Sequence, residues 1–238
     1  MNQKKIVWIT GASSGIGRAC AVEFVKNGFN VWATARRSEE LEKLRSELES
    51  QGLRLNTAKL DIRNPEDVKS VVENIVQKDK RIDCLINSAG ISSFKTAMSD
   101  SLETITNIID TNLYGAIYAM KSVLGSMREQ GGGTIINILS IVNRKIFTNS
   151  SAYAASKMGL QGYTESLREE VRKDKIRIVN IYPGATVTDI WATSVRAKFH
   201  DRMMKTEEVA KAILWSYKDE GQMVVEDIVL RPELGDLS

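Results

Sequence analysis

Short apolar runs rich in β-branched residues alternate along this chain with longer stretches whose apolar positions follow the helical period. The first strand is expected over residues 5–10 and the first helix over about 15–27, closed by Gly28 as a C-terminal cap. Residues 29–35 make a second strand. Residues 38–50 form a charged amphipathic helix with Ser38 as N-cap and Leu41, Leu44 and Leu48 on one face. A third strand over 55–60 precedes a helix that Pro65 opens and that runs to about residue 78, and 82–86 is the fourth strand. Residues 102–129 are expected as one long helix, stopped by three glycines at 131–133. Strands five to seven fall at 134–139, 176–181 and 223–230, with helices over 152–172 and 206–218 between them.

This alternation is the sequence form of βαβ units. Right-handed crossovers turn it into an α/β fold, a doubly wound parallel seven-stranded sheet of Rossmann type with helices on both faces. A length of 238 residues allows one large core or two small domains, but three prolines leave no linker-like stretch, so a single domain over 1–238 is expected. Residues 185–205 fit neither a strand nor a clear amphipathic helix and hold Trp191, Phe199, His200, Met203 and Met204. A loop this long inside a compact domain favours a substrate lid over an idle insertion.

Charge and composition remove several function classes. The 33 basic and 30 acidic residues are spread along the chain, and the formal net charge of +3 comes without a dense basic block, so no nucleic acid partner is expected. His200 is the only histidine, which nearly excludes a histidine-built zinc site and any Ser-His-Asp or Cys-His catalysis; no metal is expected. Cys20 and Cys84 lie in apolar contexts without Cys-x-x-Cys spacing, as buried small hydrophobes do. The apolar run at 6–9 is too short for a signal-peptide core or a membrane span, so a cytoplasmic location without membrane contact follows.

The segment Thr10-Gly11-Ala12-Ser13-Ser14-Gly15-Ile16-Gly17 links the first strand to the first helix. There a helix N-terminus offers unpaired N–H groups and the positive end of its dipole to a pyrophosphate. Gly11 permits the sharp turn, Gly15 lets phosphates touch backbone and Gly17 lets helix pack on strand. The end of the second strand faces the adenosine ribose, where an acid suits NAD and a basic residue suits the 2′-phosphate of NADP. Here Arg36 and Arg37 stand at that point with no acid before Glu39, which favours NADP(H). Solvated arginines ahead of a helix are the plainer alternative, and it weighs more on Arg37 than on Arg36.

Tyr153 and Lys157 lie four apart in an expected helix, on one face, with the ammonium able to reach the phenol. A neighbouring cation stabilises a phenolate and would pull the Tyr153 pKa down from its ordinary ~10. Ser140 ends the fifth strand at the carboxyl edge where doubly wound sheets bind ligands, so both hydroxyls can converge on one crevice. An ordinary strand-end cap is the other reading of Ser140. Asn112 is a poor helix former inside an otherwise regular segment, open to a structural or a functional reading.

Together these residues resemble the short-chain dehydrogenase/reductase family in its compact form, over essentially the whole chain. The glycine turn, Asn112, Ser140, Tyr153 and Lys157 stand in that family's order and spacing, followed by Pro183-Gly184 and Thr188, which look like its nicotinamide-side loop. The resemblance implies a proton relay in which Lys157 also holds the nicotinamide ribose and Asn112 orients a water. It further implies cofactor contacts from the turn, including Ser13, Ser14 and Ile16, and from Asp61 and Ile62 beside the adenine. Asn87-Ser88-Ala89-Gly90 matches the family's N-N-A-G turn except at Ser88; Asn87, Ala89 and Gly90 are retained. No basic residue stands at Ser14, where some NADP-preferring members carry one, so NADP preference rests mainly on Arg36, helped by Arg37 and Arg18.

The ending at 224–232, with Trp191, is similar to bacterial sepiapterin-reductase-like members. A carboxylate such as Asp189 or Asp236 could then bind the guanidine-like edge of a pterin, a solvated surface acid being the alternative. The expected activity is NADP(H)-dependent reduction of a ketone, aldehyde or diketone to an alcohol, with Tyr153 as proton donor. Oxidation of an alcohol or hydroxy-amino acid on the same site is the alternative, and a non-catalytic NADP sensor is the alternative of another class. Trp191, Phe147 and Phe199 point to a flat or apolar substrate. The resemblance also implies a homodimer or homotetramer built on the helices that begin near 102 and 152, although core packing would equally explain their apolar faces.

Overall fold

The computed structural model describes residues 4–218 and 223–237. Seven strands form one parallel sheet: β1 (Ile6–Thr10), β2 (Asn30–Ala35), β3 (Asn56–Lys59), β4 (Cys84–Asn87), β5 (Gly133–Ile138), β6 (Ile176–Pro183) and β7 (Asp227–Leu230). Their spatial order is β3-β2-β1-β4-β5-β6-β7. The chain therefore winds outward from β1 through β3, then returns to the other side of β1, and this reversal opens a crevice at the carboxyl ends of β1 and β4.

The unbroken apolar runs of the strands follow from burial on both faces. Along β1, Val7 and Ile9 enter one core with Phe24, Leu41, Leu44 and Ile213, while Ile6 and Trp8 enter a second with Val68, Val123 and Leu160. The first core is covered by α1 (Gly15–Lys26), α2 (Ser38–Glu49) and α8 (Thr206–Lys218); the second is covered by α3 (Pro65–Asp79), α5 (Gly115–Glu129) and α6 (Ser151–Val171). Cys20 and Cys84 are free, buried thiols of the first core.

Several elements differ from the sequence expectation. The helix at 102–129 is interrupted: α4 (Leu102–Ile109) passes through a π-helical segment, Asp110–Tyr114, into α5. Helix α2 begins on Ser38 itself with Arg37 at the cap and no side-chain cap bond, so Ser38 is not the N-cap. Of the described residues in 223–230, only Asp227–Leu230 pair in the sheet, as an edge strand with alternating exposure. The segment 185–205 contains α7 (Thr193–Phe199), none of whose residues is fully buried, and a short 3-10 turn, His200–Arg202. Its two ends meet where Met204 N donates to the Ala185 oxygen and Val187 N to the Met204 oxygen, both at 3.0 Å.

A polar row crosses the sheet, starting near the carboxyl ends of β2, β1, β4 and β5 and continuing through the middle of β6 to the first residue of β7. Thr34, Thr10, Asn87, Asn137, Asn180 and Asp227 are successive register partners from β2 to β7. Asn87 Nδ2 donates to Asn137 Oδ1 at 2.9 Å, Asn137 Nδ2 to Asn180 Oδ1 at 3.3 Å, and Asn180 Nδ2 to Thr164 Oγ1 of α6 at 3.1 Å.

Candidate active site

The glycine turn lies at the topological switch point. Gly11 takes a left-handed φ of 68°, and a Cβ there would stand 2.6 Å from Ala89 Cα; a Cβ on Gly17 would stand 2.5 Å from the Gly11 oxygen. Both positions thus require glycine for backbone contact, as the spacing predicts. Thr10 Oγ1 fastens the turn to the loop after β4 by accepting from Ser88 N at 3.2 Å and Ala89 N at 3.3 Å. Ser14 caps α1 without a side-chain bond, and no acidic side chain stands in the first turn, which leaves the helix N-terminus receptive to an anion.

Arg37 folds back onto this turn, its Nη2 donating to Ser13 Oγ at 3.1 Å and Ser14 Oγ at 2.7 Å. Arg36 is exposed at the mouth of the same cleft with no hydrogen-bonding partner among the described residues. The plainer, solvated reading weighed more on Arg37, yet Arg37 is the arginine bound to the turn. Arg18 pairs instead with Glu47 of α2, and it does not line the cleft.

At the carboxyl end of β5, Ser140 opens a 3-10 turn, Ile141–Asn143. Its Oγ accepts from Val142 N at 3.3 Å, and the residue lines the same cleft as the Tyr153 phenol. Cap and site partner are therefore one residue. Asn143 holds this corner against α6 by donating to the Lys157 oxygen at 2.8 Å. Tyr153 and Lys157 share a face of α6, but Lys157 Nζ turns to the strand and donates to the Ile138 oxygen at 2.7 Å. Burial pushes Tyr153 up to about 12, with the neighbouring Ser140 hydroxyl acting in the opposite direction. Burial also brings Lys157 down to about 8. The ammonium stands 5.8 Å from the Tyr153 ring centroid, and desolvation of the phenolate outweighs the depression expected from it.

Asn112 explains itself only in three dimensions. It lies in the π-helical segment, its Oδ1 accepting from Ile91 N at 2.8 Å and its Nδ2 donating to the Ile91 oxygen at 2.9 Å and to Ser156 Oγ at 3.0 Å. This clamp fixes the loop after β4 to α6 beside Gly90, where a Cβ would stand 3.5 Å from Asn112 Oδ1 and 3.7 Å from Lys157 Nζ.

A cleft of about 1010 Å³ runs over these groups. Ser13 to Ile16, Ile62, Ala89, Gly90, Pro183, Gly184 and Thr188 all line it, and Thr188 stands against the glycine turn, where a Cβ on Gly15 would lie 3.2 Å from its Cγ2. Gly17, Asp61, Asn87 and Asn112 do not line it. Asp61 is occupied by an ion pair with Arg63 at 2.6 Å, whose hydrogen bonds hold its carboxyl below the ordinary range. Asn87 lies beneath the cleft in the polar row.

Features outside the sequence motifs also face this space. Thr111 and Ser92 line the cleft, and their hydroxyls are buried with no hydrogen-bond partner among the described residues. Phe94 and Trp191 stack across its mouth with centroids 4.7 Å apart and planes 8° from parallel. Asp189 is taken by Arg196 at 2.7 Å. Asp236 is 8% exposed and paired with Lys145 and Arg231, so it is not a solvated surface acid.

The dinucleotide fold fits its ligand here. Gly11 and Gly15 line the cleft with main chain alone, the first turn of α1 is free of acids, and among the described residues Arg36 and the Thr111 hydroxyl have no hydrogen-bond partner. A switch-point crevice with an anion-receptive turn at one end and a buried phenol at the other defines a dinucleotide-dependent oxidoreductase. Comparison with known proteins narrows the class: the short chain dehydrogenase family model matches residues 5–198, and the chain belongs to that family. It is 34% identical over 241 residues to the sepiapterin reductase of Chlorobaculum tepidum, covering 98% of each chain. Among solved structures it is similar to an alcohol dehydrogenase of the archaeon Thermococcus sibiricus complexed with 5-hydroxy-NADP, at 25% identity and a TM-score of 0.88 over 99% of both chains. It is also similar to the closed form of a serine dehydrogenase complexed with NADP+, at 27% identity and a TM-score of 0.90 over 98% of this chain and 97% of that one.

Proposed function

We propose that this oxidoreductase uses NADPH to reduce the carbonyl group of a flat or apolar compound to an alcohol, as a cytoplasmic enzyme. The observation that carries this reading is the buried Tyr153 phenol beside Ser140 on the cleft wall: burial pushes its pKa up to about 12, so at neutral pH it is in the form that can donate a proton to a carbonyl oxygen. Support for NADP over NAD comes from Arg36 and Arg37 at the end of β2, and from relatives solved with NADP or its analogue.

Gly11, Gly15, the first turn of α1 and Arg37 would hold the phosphates, Arg36 the 2′-phosphate, and Lys157 the nicotinamide-side ribose. The bound, reduced nicotinamide supplies the hydride. Ser140 Oγ donates to the substrate carbonyl oxygen and fixes it beside the phenol. Tyr153 passes its proton to that oxygen as it becomes an alkoxide, and the Lys157 ammonium compensates the phenolate that remains. The residues 185–205 form a lid over the substrate, with Trp191 against Phe94 at the mouth. Stacked aromatic rings there favour a planar substrate, and the likeness to a sepiapterin reductase makes a pterin side-chain ketone one candidate.

Exposed apolar side chains on two surfaces support a homodimer or homotetramer: Leu102, Tyr114 and Met158 along the α4–α6 face, and Trp215 with Val229 around α8 and β7. The test of function is NADPH oxidation, followed by absorbance, against aldehydes, ketones, vicinal diketones and sepiapterin. Tyr153→Phe is expected to lower kcat by about 10²–10⁴-fold while NADPH still binds. Tight NADPH binding without turnover of any carbonyl would instead support a sensor.

A further inference from the structure

The C-terminal tail carries a buried carboxylate that reductase chemistry leaves unexplained. After β7 the chain turns at Pro232–Gly235, where Gly235 N donates to the Pro232 oxygen at 2.9 Å and Gly235 takes a φ of 77°. Pro232 Cδ lies 3.0 Å from where a Gly184 Cβ would stand, so the tail is seated directly on the loop beside the catalytic groups. This reversal brings Asp236 and Leu237 to the wall of the cleft, among Phe147 and Phe199.

Three cations from three elements converge on Asp236. Its Oδ2 pairs with Lys145 at 3.0 Å and with Arg231 at 2.5 Å, and its main-chain oxygen accepts from Arg202 Nη2 at 3.2 Å. Lys145 belongs to the strap that joins the Ser140 turn to α6 and Tyr153. Arg202 closes the 3-10 turn inside 185–205, and Arg231 follows β7. Burial alone would raise the Asp236 pKa, and the bonds from Lys145 and Arg231 more than reverse that. The cations stand behind the carboxylate and do not line the cleft, so the cluster is a fastening between segments.

We propose that Asp236 is a positioning residue for the substrate: its carboxylate ties the Ser140–Tyr153 strap to the C-terminal tail through Lys145, its main-chain oxygen receives Arg202 of the 185–205 lid at the same point, and the pair of ties holds the substrate end of the cleft in its closed shape. The proposal rests on the reductase reading for its kinetic consequence and on geometry alone for the latch. Either ion pair by itself is half exposed on the cation side and contributes little. The Lys145 pair and the Arg202 bond together fix two walls of the cleft at one point, which acts on the substrate and leaves the glycine turn untouched.

Asp236→Asn keeps the side-chain shape and removes the charge. With a carbonyl that the wild type reduces, it is expected to raise KM about tenfold, with kcat and the NADPH dissociation constant each within about twofold. Lys145→Gln should raise KM less, and adding it to Asp236→Asn should cause no further rise, since both variants break one fastening. Asp236→Glu should recover part of the loss. Equal losses in kcat and NADPH affinity, or an unchanged KM, would overturn the proposal. Hydrogen–deuterium exchange on the same variant separates this from failure of the reductase reading. Faster exchange in the strap at 144–150 supports the latch even if no carbonyl is turned over, and unchanged exchange there refutes it.

Discussion

Lys157 is buried at the foot of the cleft with its ammonium on the Ile138 oxygen and its pKa brought down to about 8. Reduction needs the phenol of Tyr153, which persists until about pH 12, together with the charged form of Lys157. Below about pH 8 both forms are present, so kcat/KM for carbonyl reduction should be flat there. It should fall as pH rises through about 8 and Lys157 loses its proton, the reverse of what a phenolate base would give; a pH–rate profile checks this. At the other end of the cleft, Arg36→Ala should weaken NADPH about 10- to 100-fold in titration calorimetry, from loss of charge-assisted bonds worth roughly 1.5–3 kcal/mol, while NADH affinity barely changes. Ser140, Tyr153 and Lys157 were legible as a set because their spacing and their place after a strand supply independent evidence. Thr111 and Ser92 were not, since an unpartnered hydroxyl is defined by neighbours distant in sequence. The direction of the Tyr153 pKa was misjudged for a related reason: helical spacing reveals proximity to a lysine but not desolvation.

The π-helical segment at Asp110–Tyr114 is the element on which the site's geometry turns. A residue beyond the α-helical count enters the turn there, and Asn112 uses that displacement to bond the Ile91 main chain and Ser156 at once. Asn112→Asp preserves size but sets a carboxylate oxygen against the Ile91 carbonyl. It should reduce unfolding free energy by about 1–3 kcal/mol in urea titration and speed exchange of the Ile91 amide. Hydrophobic period recovers helices and strands well, and most boundaries fall within a few residues. It does not resolve one inserted residue, which is why 102–129 looked uniform and only the poor propensity of Asn112 hinted otherwise. Nor does it detect α7, whose residues are at most partly buried and so carry no sustained apolar stripe.

At the scale of the whole molecule, strand count and parallel winding followed from the alternation of elements, because crossover handedness leaves few arrangements for such a chain. The fastening of the tail could not follow, since Asp236 meets Lys145 across 91 residues and nothing local announces it. The polar row likewise joins residues far apart in sequence, 50 between Asn87 and Asn137 and 43 between Asn137 and Asn180, and it bears on how the sheet assembles. Parallel strands have no hairpin to set their alignment, and a slip by two residues keeps every apolar side chain on its proper face. Such a slip would bring Asn137 opposite Leu85 and strand its amide in the core. Asn137→Ala removes the middle of the row and leaves an Asn87 donor and an Asn180 acceptor buried, so a loss of about 2–5 kcal/mol is expected in denaturant unfolding. The asparagines thereby act as index marks during folding. Hydrophobicity decides which side of the sheet each residue takes, and the marks reject the near-degenerate alignments that hydrophobicity would accept.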